Sequence, residues 1–123
     1  MWTSIRTKQL RISPRQRQLI DAFITRTFQR ERRHVGSVHV TLGPAKIGGG
    51  LGHACRVRIW SHYLGLITAE DLGDTVRTVV QQASLRARSA MRRRLHKRHE
   101  SGRRISQRQN FQPDLNDFEA RFL

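Results

Sequence analysis

Residues 37–60 read SVHVTLGPAKIGGGLGHACRVRIW, and their alternation decides the fold. Val38, Val40 and Leu42 interleave with His39 and Thr41, while Cys55, Val57 and Ile59 interleave with Arg56, Arg58 and Trp60. Successive side chains of an extended chain point to opposite faces, so each run supplies one apolar and one polar face. The pattern is that of a sheet covered on one side. Between the runs, Gly43–Gly52 (GPAKIGGGLG) is polar and glycine-rich and reads as a flexible connection. Ser61-His62 reads as a turn, and residues 63–69 as the partner strand of a hairpin.

Upstream, residues 3–12 read as a strand that ends in turn chemistry. Ser13-Pro14 then starts a helix, because Ser13 can cap it and the missing N–H of Pro14 costs nothing in the first turn. From Pro14 to about Arg33, Leu19, Ile20, Phe23, Ile24 and Phe28 recur at helical spacing. On that wheel Arg15, Arg26, Arg30 and Arg33 form a narrow basic stripe beside the apolar face. Gly36 is the expected helix stop.

Downstream, Asp71 is the expected opening of the longest helix, which runs to about His99. Its apolar stripe is Leu72, Val76, Val79, Val80, Ala83, Ala87, Ala90 and Met91. Past Val80 the stripe thins to alanine and methionine, and positive charge takes over: Arg86, Arg88, Arg92, Arg93, Arg94, Lys97 and Arg98 spread around the circumference. A helix end so poor in apolar surface is expected to extend past the sheet and to be ordered partly by what it binds. Ser101–Gln112 reads as a flexible basic arm carrying Arg103, Arg104 and Arg108. Residues 113–123 (PDLNDFEARFL) carry three acids, with Leu115, Phe118 and Phe122 at helical spacing. The expected order is strand–helix–strand–strand–strand–helix. Each helix has a single apolar stripe, so the fold class is α+β, a four-stranded sheet with two helices packed on one face. Residues 1–99 form the folded domain, and 100–123 a basic arm with a short amphipathic tail.

The 123 residues suit one domain with a modest core. They carry 24 Lys+Arg against 9 Asp+Glu, a formal net charge of +15. Such a surplus attracts polyanions. Of the basic residues 21 are Arg and 3 are Lys; the planar guanidinium fork binds phosphate bidentately and stacks on bases, which favours nucleic acid as the partner. So many like charges on one helix repel unless a polyanion is present. Cys55 is the only cysteine, so no internal disulfide forms, as suits a reducing cytosol. No apolar run approaches the ~20 residues of a membrane span. The start, MWTSIR, lacks the apolar run and cleavage site of a secretory signal, so an ordinary cytoplasmic start is expected.

Enzymatic readings find little support. Gly48-Gly49-Gly50 lacks the Lys-Ser/Thr of a phosphate-binding loop. His53 with Cys55, and His96 with His99, are the closest spacings of metal-binding residue types, and neither is a recognised ligand set. No cofactor, metal or small-molecule substrate is expected. Cys55 alternates with core positions and reads as an inert thiol. Trp60 shares a strand face with Arg56 and Arg58. It is either a base-stacking platform or a residue packed over a sheet edge or against the tail, and the usual burial of tryptophan favours packing. The tail's Leu115, Phe118 and Phe122 dock either on a protein partner or back on this chain.

The element order and three stretches resemble the ribosome hibernation promoting factor family, also known as the sigma-54 modulation or ribosome-associated translation inhibitor family, in its short form. The stretches are IRTKQLRISPRQRQLIDAFI (5–24), the strand pair around SVHVTL and CRVRIW, and Asp71–Met91. The resemblance spans roughly residues 4–98. It implies binding to the small ribosomal subunit and its rRNA, in the channel used by mRNA and tRNAs, and silencing of idle ribosomes under stress. It also implies that Arg17 and Arg26 match basic positions of the family's first helix. Arg86 falls at a polar position of the second helix, Arg88 at a frequently basic one, and Arg92–Arg94 in its basic end. Gly73 departs from a usual aromatic, and Gln82, Leu85, Ser89 and Met91 from common basic positions, so charge is shifted towards Arg86–Arg98. The expected RNA-binding set is Arg86, Arg88, Arg92, Arg93, Arg94, Lys97 and Arg98, supported by Arg17, Arg26, Arg30 and Arg33. A general RNA- or DNA-binding protein, and a protein-interaction adaptor using the sheet and tail, are the alternatives.

Overall fold

The computed structural model describes residues 1–107, with side chains through residue 99. The element order is β1 (Trp2–Thr7), α1 (Pro14–Thr27), a short 3-10 turn (Arg32–His34), β2 (Ser37–Ile47), β3 (Gly50–Ser61), β4 (Gly65–Gly73) and α2 (Val76–Gln107). The four strands form one mixed sheet in the order β1-β2-β3-β4, with β1 parallel to β2 and the other pairs antiparallel. This is the α+β architecture read from the sequence. The described residues divide into two units, Met1–Arg92 and a second that begins at Arg93.

Register explains the one-sided core. Val40 faces Val57, Val38 faces Ile59, and Ile59 faces Ile67. All five are buried, together with Leu42 and Cys55. Helix α1 adds Ile20 and Ile24, with Phe28 just past its end, and α2 adds Val79, Val80, Ala83, Ala87 and Met91. Burial of Ala83, Ser84 and Ala87 gives the thin stripe of α2 a structural role, because small side chains let a helix backbone approach its support closely. The opposite sheet face carries Arg56, Arg58, Trp60, Leu66, Thr68 and Glu70, all exposed.

Helix α1 begins as expected. The Ser13 hydroxyl accepts from the Gln16 backbone N–H at 3.1 Å, and the Gln16 side chain accepts from the Ser13 N–H at 2.9 Å, a reciprocal capping box with Pro14 at the first helical position. Four boundaries differ from expectation. β1 stops at Thr7, and Gln9 lies in the left-handed region at φ 54°. α1 ends at Thr27 rather than near Arg33, because no apolar residue between Phe28 and Val35 holds a further turn against the core; the Thr27 hydroxyl donates to Phe23 O at 2.7 Å. The presumed loop 43–52 is mostly strand. Gly48 and Gly49, at φ 52° and 82°, close a two-residue hairpin, so pairing continues through Ile47↔Gly50. Asp71 sits in β4 opposite Cys55 and opens no helix. Thr75 caps α2, its hydroxyl accepting from the Thr78 N–H at 3.1 Å.

At its other end α2 continues to Gln107, so residues 101–107 are helical where an arm was expected. The amphipathic tail, residues 113–123, lies outside the described residues, as does Arg108.

Candidate nucleic-acid interface

Residues 76–99 of α2 contain eight Arg or Lys and no acid. Within that stretch no acid offsets the charge, and pairs four apart such as Arg88 and Arg92 repel. Two of the predicted contacts find acids elsewhere. Arg92 Nε donates to Glu31 Oε1 at 2.7 Å, and the Glu31 side chain is only 6% exposed. Arg86 sits 3.8 Å from Asp71 Oδ1 and reaches the Glu70 carbonyl at 3.5 Å. Arg92 is therefore first a fold residue, tying α2 to the segment after α1. Its guanidinium still keeps nearly half its side-chain surface in water. Arg86 makes looser contacts and stays more exposed. Arg88, Arg93 and Lys97 form no ion pair among the described residues. Arg93, Arg94 and Lys97 are exposed, and Arg88 and Arg98 are partly so.

Around α1 the predicted residues divide. Arg17 donates to the Ile5 carbonyl at 2.7 Å, tying the first turns of α1 to β1. Arg26 is exposed on the last turn of the helix. Arg30 and Arg33 are exposed but lie beyond the end of α1. The helical stripe of Arg15, Arg26, Arg30 and Arg33 thus does not exist as one helix face.

Between α1 and α2 runs a groove of about 940 Å³. Leu19, Ile20 and Phe23 line it from α1, and Val76, Val80 and Leu85 from α2, with Arg26, Arg77 and Arg88 among its walls. The structure therefore brings Arg26 and Arg88 to one surface, along with Arg77. Arg77 was hidden in the sequence by its place in the apolar half of α2, and the absence of an acid beside it on that helix was the available signal.

Burial, with a smaller contribution from Asp71, pushes the Cys55 thiol up to about 12, so it stays protonated and unreactive at neutral pH. Among the described residues no group of three His, Cys, Asp or Glu could hold a metal ion. No described helix is long and apolar enough to cross a membrane. Trp60 is 48% exposed, more open than packing over a sheet edge implies, and the tail that was the other expected cover lies outside the described residues.

No protein-family description matches the sequence, and no curated protein does. Solved structures do match. A ribosomal subunit interface protein from Coxiella burnetii superposes with a TM-score of 0.65 at 16% identity, covering 76% of this chain and 96% of its own. This is the fold of a ribosomal subunit interface protein. The N-terminal domain of Thermus thermophilus Protein Y shares it, with a TM-score of 0.61 at 16% identity over 76% of this chain and 98% of that domain. Both neighbours belong to the hibernation-factor family that the sequence resembles. At this identity the likeness establishes the architecture, and each side chain must be argued on its own chemistry.

Proposed function

We propose that this chain is a non-enzymatic ribosome-associated factor that binds the small subunit in the mRNA and tRNA channel and silences translation by occupying it. The observation that carries the reading is the union of an interface-protein fold with an acid-free run of eight cations along residues 76–99. Duplex RNA presents a regular lattice of phosphates and 2′-hydroxyls, which a rigid basic helix can match by shape without reading bases. Each phosphate neutralised releases counter-ions, so the favourable free energy comes largely from salt displacement. Exclusion of mRNA and tRNA is then steric and needs no reacting group.

On this reading Arg88, Arg93, Arg94, Lys97 and Arg98 meet phosphate directly, with Arg26, Arg30, Arg33 and Arg77 supporting. Arg86 and Arg92 hold the fold while lending their charge, and Arg17 acts mainly as a brace. Residues 1–99 are the binding domain, 100–123 follow as an accessory extension that is helical through Gln107, and the site of action is the cytoplasm. The test is co-sedimentation. Purified protein mixed with separated ribosomal subunits is run on a sucrose gradient at low salt, beside an in-vitro translation reaction. Comigration with the small subunit and dose-dependent inhibition are expected. Protein that stays at the top of the gradient, or leaves translation untouched at stoichiometric excess, contradicts the proposal.

A further inference from the structure

The sheet face turned away from the helices has a composition of its own. The register places Trp2, Ser37, Trp60 and Leu66 in one row across all four strands. The next row is Ser4, His39, Arg58 and Thr68, and the third is Arg6, Thr41, Arg56 and Glu70. Both tryptophans of the chain stand in the first row, and they are 64% and 48% exposed. A tryptophan is ordinarily among the most buried residues on average, so two left open on one row call for a ligand.

The setting is also preorganised. The His39 ring meets the Trp2 ring edge-on at a centroid distance of 5.6 Å, and His39 Nε2 lies 3.1 Å from the Ser37 hydroxyl. Trp2 therefore has a lateral support that leaves most of its surface in solvent. Ser37 separates the two tryptophan positions by two inter-strand steps, roughly 10 Å, with only a small side chain between them. Behind this row the charge is positive: Arg58 and Arg6 are exposed with no acid in ion-pair range among the described residues, while Glu70 is engaged by Arg56.

The geometry points to this open sheet face as a binding platform for single-stranded RNA, with two bases stacking on Trp2 and Trp60 and the intervening backbone held by Arg58 and Arg6. Aromatic faces accept any unpaired base, whereas a paired duplex hides its base faces and offers only phosphates. The platform therefore selects single strands without selecting sequence. It lies on the opposite side of the sheet from α1 and α2, so it is distinct from the helical surface proposed to meet folded RNA. Charge complementarity favours nucleic acid over an apolar protein segment, because the aromatic row is backed by guanidinium groups. The chain's own acidic C-terminal residues are the rival occupant, and the test separates them.

Since both tryptophans lie on the platform, intrinsic tryptophan emission of the full chain reports on it alone. Titration with a ten-nucleotide oligo-U or oligo-A is expected to quench that emission saturably. A ten-unit abasic strand of equal charge, or a short RNA duplex, is expected to bind with little quenching. Trp2→Ala and Trp60→Ala each weaken oligonucleotide binding, read by anisotropy of a labelled strand, by about 5-fold or more, with the circular dichroism spectrum unchanged. The same variants retain co-sedimentation with small subunits through the helical face, so failure here and failure of the ribosome-binding proposal are distinguishable. Equal quenching by abasic and base-bearing strands overturns the inference. So does a truncation of residues 108–123 that by itself shifts the free protein's emission strongly to the red, because the tail would then be the occupant.

Discussion

Replacing Arg92 by Ala should destabilise this protein far more than replacing its neighbour Arg93, although the two look equivalent in sequence. Glu31 is buried, and its only hydrogen bond among the described side chains is the one at 2.7 Å from Arg92 Nε; its second oxygen has no partner there. Loss of Arg92 leaves a carboxylate with no compensating charge in a largely dry site. Breaking a fully buried pair from one side costs about 3–5 kcal/mol. Arg92 is half exposed, so water can partly replace it, and about 2–3 kcal/mol is the expected loss. For a domain of this size that is a drop of roughly 8–24 °C in Tm. Arg93→Ala should stay within about 0.5 kcal/mol of the parent, as an exposed substitution does. The double variant Glu31→Met, Arg92→Met should recover most of the loss, since two apolar groups leave no unpaired charge. The assay is thermal and urea unfolding of the full chain, followed by circular dichroism. Arg92→Ala within 0.5 kcal/mol of the parent would refute the claim that this arginine holds the fold.

Further outcomes follow from particular sites. Gly52→Ala should destabilise by about 1–3 kcal/mol in urea unfolding, because a Cβ there would press on the Ile47 side chain and come 2.7 Å from the Gly73 carbonyl; a neutral result would contradict the close approach of β3 and β4. Cys55 should react with a thiol reagent only at the rate of global unfolding at pH 8, and labelling within seconds in native buffer would contradict its burial. Its thiol ionises at a lower pH in the unfolded chain, near 9.0, than in the folded one, near 12. The stability this contributes is therefore present below pH 9 and is lost as pH rises towards 12, which pH-dependent urea midpoints would reveal.

The core of the sheet was legible because alternation is a local signal: Val38, Val40 and Leu42 against Cys55, Val57 and Ile59 need no knowledge of anything distant. The α1 start was legible for the same reason, through Ser13 and Pro14, to which the structure adds the reciprocal Gln16 contact. Boundaries misread in sequence are those where a competing local pattern was equally good. Asp71 is a plausible cap, yet pairing with β3 continues through Gly73 and leaves capping to Thr75. Gly43–Gly52 has loop composition, yet two consecutive glycines with positive φ turn the chain and let both strands run on. The candidate site was legible as an accumulation of charge and illegible as a division of labour. The Glu31–Arg92 pair joins residues 61 apart, and no periodicity announces it. Arg30 and Arg33 were assigned to a helical stripe only because the helix was read past Thr27. Alternation already set Trp60 on the polar sheet face with Arg56 and Arg58, but how far it stands open there depends on neighbours distant in sequence.

If the guanidinium groups of α2 meet RNA phosphates, salt dependence of binding measures that contact directly. Binding of the parent and of an Arg88→Gln, Arg93→Gln, Lys97→Gln variant to purified small subunits is measured at several salt concentrations between 50 and 200 mM. For about 6–10 phosphate contacts the parent should lose roughly 10³–10⁵ in affinity across that range. The variant should bind more weakly at the lowest salt, and its log–log slope should be shallower by roughly 2–3. Equal affinity and equal slope for the two proteins would contradict the assignment of these side chains to RNA.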